Sequence, residues 1–117
     1  MQLERNSKLL RIFIGEMDKV GHQPLYEALL FSAKKQGIAG CSVIRGIMSY
    51  GVSTLVHTTK ILDFSSDLPV IVEIVDKEEK INDFLPVVDD LIEKAGCGGL
   101  VTIEDAEVLR YVKRKIN

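Results

Sequence analysis

The sequence predicts an α+β sandwich in which two strand–helix–strand units share one antiparallel sheet. Two apolar runs, Leu9–Ile14 and Val70–Val75, read as interior strands. Two segments, one opening near Pro24 and one at Asp76, carry apolar residues at helical spacing. Glycines stop three of these elements, at Gly15, Gly37 and Gly96.

In the first run Leu10, Ile12 and Ile14 share one face and Leu9 and Phe13 the other, with Arg11 the only interruption. A polar stretch follows, from Glu16 to Gln23. Pro24 suits the first turn of a helix, where a missing N–H costs nothing. That helix is expected to run to about Gln36, with Leu25, Ala28, Leu29, Ser32 and Ala33 on one face. A second strand is expected from about Gly40 to Arg45 and a third from Val70 to Val75 after Pro69. Asp76 and Glu79 have the D-x-x-E spacing of a capping box. Beyond it Ile81, Phe84, Leu85, Val88, Leu91, Ile92 and Ala95 hold an i, i+3, i+4 stripe. Pro86 lies within that stripe and is expected to kink the helix without breaking it. After Gly96, Gly98 and Gly99 comes a fourth strand, Leu100–Ile103, and then a further short strand within Ala106–Val112. The order is βαββαβ with a short C-terminal β extension. Right-handed crossovers put both helices on one face, which is a ferredoxin-like sandwich.

The whole chain, 1–117, fits one domain, with a core from about 8 to 112. No apolar run approaches the roughly 20 residues of a membrane span, and the N-terminus has no hydrophobic signal core. The expectation is a cytoplasmic protein without membrane insertion. A net charge of −2 gives no global reason for nucleic-acid binding. Cys41 and Cys97 make no CxxC pair, and simple reduced thiols are expected.

Catalytic constellations are missing. His22 and His57 sit in no HExxH and beside no nucleophile motif, and there is no P-loop or GxGxxG. The carboxylates read as caps and solvated helix faces. The expectation is a non-enzyme with neither a catalytic nor a metal centre. The stretch Gly46–Leu68 stands out instead. Connections longer than roughly 12 to 15 residues are usually functional or disordered, and this one carries Leu55, Val56, Ile61, Leu62 and Phe64. It reads as an arm packing on another subunit, a recognition loop, or both. Glycines flank it on either side of the fold: Gly46 and Gly51 after the second strand, and Gly96, Gly98 and Gly99 before the fourth. Glycine lets backbone N–H groups approach an anion, and Arg45 adds a guanidinium fork.

The strings VIRGIMSYG and DLPVIVEIVD, with RIFIGE and GGLVTIEDAEV around them, closely resemble the small uncharacterised family of PII-like proteins. More distantly the chain resembles the nitrogen-regulatory PII proteins. The resemblance spans about Lys8 to Val112 and implies a homotrimer that binds adenine nucleotides in clefts between subunits. It implies nucleotide contacts from Arg45, Gly46, Gly96, Gly98 and Gly99, with charge from Arg110. The loop 46–68 would be an effector loop, with Tyr50, Gly51, His57 and Lys60 as candidates to meet a transporter or an enzyme. The chain departs from the PII pattern at AGCGGL, which lacks the preceding Thr-Gly and the following lysine, and at the C-terminus, where only Arg110 remains of an arginine pair. Fewer cations suit fewer phosphates, so AMP or ADP is favoured over ATP with magnesium. No cofactor is required in this reading. The alternatives are a divalent-metal-binding trimer using His57, Cys41 and Cys97, a small enzyme with an intersubunit site, or a structural oligomer without a small-molecule ligand.

Overall fold

The computed structural model describes residues 4–51 and 68–115. Strand β1 spans Asn6–Gly15, and a tight pair of two-residue strands follows, β2 at Lys19–Val20 and β3 at Gln23–Pro24. Helix α1 is Leu25–Lys35, β4 is Cys41–Arg45, β5 is Pro69–Asp76, α2 is Glu78–Ala95 and β6 is Leu100–Glu107. The main sheet has the order β4-β5-β1-β6, with every pairing antiparallel. This is the ferredoxin-like order.

The core lies between one face of the sheet and the two helices. Leu10, Ile12, Ile14, Val70, Val72 and Ile74 point into it from the central strands. Leu25, Leu29 and Ala33 meet them from α1, and Ile81, Phe84 and Val88 from α2. Each strand contributes alternate residues, as a half-buried sheet requires. The opposite face carries Leu9, Phe13, Ile71 and Val75, all half-buried. At its centre Arg11 donates to Glu73 at 2.9 Å and to Glu104 at 2.5 Å. Those two bonds explain both the charge that interrupts the first apolar run and the glutamate within the third strand.

Four expectations change. Pro24 stands at the N-cap position of α1 rather than in its first turn, because its ψ of 137 is extended and it pairs with Lys19. The segment 16–23 is not plain connection but the turn and hairpin that lead there. The Asp76 capping box does not form; the N-cap is Lys77, with no side-chain cap bond. Asp76 is instead 1% exposed and holds two backbone amides, Lys77 N–H at 2.7 Å and Ala39 N–H at 2.9 Å. Finally, the separate C-terminal strand is absent among the described residues. Strand β1 starts at Asn6, earlier than expected, so β6 stays paired as far as Glu107. One further bond, Val108 N–H to the Arg5 carbonyl at 2.8 Å, ends the ladder. The chain then crosses to β4, where the Tyr111 hydroxyl donates to the Ala39 carbonyl at 3.1 Å. Helix α2, by contrast, continues unbroken through Pro86.

Candidate anion site at one end of the sheet

Register fixes where the candidate residues lie. Gly15 pairs with Pro69 and Arg45 with Val70, at the end of the sheet where β1 finishes. Leu100 pairs with Phe13 at that same end, so the turn 96–99 from α2 into β6 lies there too. Arg45, Gly46, Gly96, Gly98 and Gly99 therefore share one end. They do not share one edge. Strands β4 and β6 are the outer strands, three spacings apart at about 4.8 Å each, or roughly 14 Å. Within one chain they are two separate walls.

Arg110 is not brought to either wall. It follows the far end of β6, where Glu107 pairs with Asn6, and it neighbours Tyr111 beside Ala39. Between the two ends runs the whole of β1, roughly 30 Å at about 3.3 Å per residue. Cys41 and Cys97 are also separated. Cys41 opens β4 opposite Ile74, whereas Cys97 sits in the turn after α2. Among the described residues no three Cys, His, Asp or Glu side chains converge as a metal site. Burial pushes the Cys41 thiol up to about 11. Burial first, and then the Asp18 carboxylate, push the Cys97 thiol to about 11. Both are protonated at neutral pH and are poor ligands in that state.

The glycines divide into two kinds. The Gly46 amide donates to the Pro69 carbonyl at 2.7 Å, and the Gly96 amide to Ile92 and Glu93, both at 3.1 Å. Gly96 is the left-handed C-cap of α2, with φ 65. These two amides are used inside the chain. Gly98 and Gly99 follow the cap, and no hydrogen bond engages their amides among the described residues. Both residues are exposed, and their backbone is the glycine backbone at this end not already used among the described residues.

Sequence reasoning missed Glu16 and Asp18. The Glu16 carboxylate accepts from the Arg45 guanidinium, and the Glu16 amide donates to the Leu68 carbonyl at 2.8 Å. Asp18 accepts from the Gly15 amide at 2.8 Å, and its carboxylate adds to burial in raising the Cys97 thiol. The short run Gly15–Asp18 reads as a turn, which is the only signal for the second. Nothing local announces the first, because its partner is remote in sequence.

The root of the long loop is open. Ile47 is 89% exposed and Tyr50 is 94% exposed, with Met48 and Gly51 exposed beside them. Gly51 has φ 131, which favours glycine. His57 and Lys60 lie outside the described residues. No helix among the described residues is long and apolar enough to cross a membrane.

Comparison with known proteins adds to this geometry. The family DUF190, described as Uncharacterized ACR, matches residues 7–108. A UPF0166 protein of Aquifex aeolicus is 42% identical over 102 residues, covering 87% of this chain and 92% of that protein. The UPF0166 protein of Methanocaldococcus jannaschii is 36% identical, covering 89% of this chain and 93% of its own. Among solved structures, CPII of Thiomonas intermedia K12, bound to ADP, AMP and acetate, superposes with a TM-score of 0.65 over 94% of each chain, at 17% identity. It is described as a nitrogen regulatory PII-like protein. At that identity the likeness establishes a shared PII-like fold.

Proposed function

Because the chain belongs to the DUF190 family and folds as PII-like proteins do, we propose that it is a non-enzymatic, cytoplasmic regulatory protein that binds AMP or ADP between subunits of a homotrimer. The observation that carries this reading is the arrangement of the candidate walls. Arg45 and the exposed Gly98 and Gly99 lie at one end of the sheet but on opposite edges. One chain cannot close them on a nucleotide, whereas the β4 edge of one subunit set against the β6 edge of a neighbour can. In such an assembly the residues near the phosphates are few, which suits one or two phosphates. Arg110 would have to come from a neighbouring chain to take part.

The fold likeness to a protein solved with ADP and AMP supports the choice of ligand. The exposed apolar residues Ile47, Met48 and Tyr50 at the loop root support a protein partner, since exposed apolar groups gathered in one segment mark contact surfaces. Calorimetry with AMP, ADP and ATP tests the ligand. Expected is saturable binding of AMP or ADP, with ATP weaker. No heat from any of them at millimolar concentration would end the nucleotide reading.

A further inference from the structure

We propose that Glu16 is a built-in competitor for the ligand's phosphate, and that its grip on Arg45 sets how tightly this end of the sheet holds an anion. The inference rests on the nucleotide reading above and deepens it. Arg45 offers a planar fork that suits carboxylate and phosphate alike. Its side chain is 63% exposed, so an anion can reach it, and the carboxylate already bonded to it is only 21% exposed.

Neither partner is loosely placed. Glu16 is fixed by its amide bond to Leu68, one residue beyond the end of β1. Arg45 is fixed by its ladder position opposite Val70, and the next residue, Gly46, is bonded to Pro69. An added Cβ on Gly46 would meet the Pro69 ring at 2.9 Å, so the backbone here is closely packed. The pair is therefore pre-organised and electrically neutral. An arriving anion finds the cation already matched, and it must displace the carboxylate to gain the full charge-assisted contact. A tethered carboxylate has one charge and a high local concentration. Displacing it costs each arriving anion the same carboxylate–guanidinium contact. Glu16 thereby sets a threshold that a ligand phosphate must exceed before it can hold Arg45.

The test is a double-mutant cycle read by calorimetry with ADP, AMP and adenosine on the intact assembly. Glu16→Gln keeps the backbone amide and the side-chain shape but removes the charge. It should tighten ADP and AMP by about three- to tenfold, to a similar extent, and leave adenosine unchanged. Arg45→Ala should weaken both nucleotides. Adding Glu16→Gln to Arg45→Ala should then change little, because the glutamate acts through that arginine. Thermal unfolding of each variant checks that it is folded. If Glu16→Gln binds ADP no better than the parent, or gains as much in the Arg45→Ala background, the competitor role is overturned while the nucleotide reading stands. If neither parent nor Glu16→Gln binds AMP or ADP, the nucleotide reading falls and takes this inference with it.

Discussion

Gly46 serves the backbone before it serves any ligand. Its amide is bonded to Pro69, and its missing Cβ makes room for the Pro69 ring, where a methyl group would sit 2.9 Å from Cγ. Replacing it with alanine should cost about 1–3 kcal/mol by overpacking, read as a lower urea midpoint with an unchanged slope. A Gly46→Ala protein of parental stability would mean that the ring moves aside freely. The same position shows what a sequence conceals. A glycine beside an arginine and a long loop reads as a phosphate nest, and only the strand register reveals that its amide is taken. Glu16 is the reverse case. It sits in a polar stretch without periodicity, and its partner lies 29 positions away, so no local pattern points to it.

Helix α2 was the most legible element, because its stripe runs without a break and three of its members, Ile81, Phe84 and Val88, are fully enclosed. Pro86 lies on the exposed side of that helix. A proline there removes one backbone bond and crowds the carbonyl of Asn82, yet the helix persists because the buried face on either side holds it in phase. Pro86→Ala should therefore stabilise the protein by about 1 kcal/mol or more, seen as a higher thermal midpoint; an unchanged or lower midpoint would show that the proline ring itself is needed there. The short hairpin of β2 and β3 was not legible, since two-residue strands are too short to show a period. The end of β6 was misread for another reason. Its extent depends on where β1 begins, and Asn6 and Ser7 are polar residues that pair with Glu107 and Ala106 by register rather than by hydrophobic pattern. Asp76 was read as a helix cap because its spacing to Glu79 fits one. Being almost fully enclosed, it instead ties the end of β5 to the start of β4.

The whole molecule is layered on one side only. Both helices cover the same face of the sheet, and the other face keeps a half-buried apolar set around the Arg11 ion pairs. An antiparallel sheet tolerates one solvated face, but this one has Leu9, Phe13, Ile71 and Val75 where polar residues would suffice. If subunits meet edge to edge as proposed, this apolar face is expected to be covered in the same assembly. Phe13→Glu should then lower the mass seen by sedimentation from trimer to monomer while leaving the circular-dichroism spectrum of the fold intact. A variant that sediments as its parent does would move the subunit contact elsewhere. The fold class followed from the order of elements alone. The division of the candidate site between two edges did not, because it depends on which strands end up outermost.

The bonds at the two feet of the 46–68 segment carry a last consequence. Arg45 faces Val70 in the ladder, and Gly46 is bonded to Pro69, so the segment leaves and re-enters the sheet at adjacent positions. For a ring closed at so short a gap, the entropy of closure grows only logarithmically with the number of residues. Each doubling costs about 0.6 kcal/mol, less than the cost of the single methyl group considered at Gly46. Selection can therefore lengthen, shorten or exchange this segment at almost no thermodynamic expense to the scaffold. The sheet behaves as a socket whose own stability depends little on the length of the segment joined at its two feet.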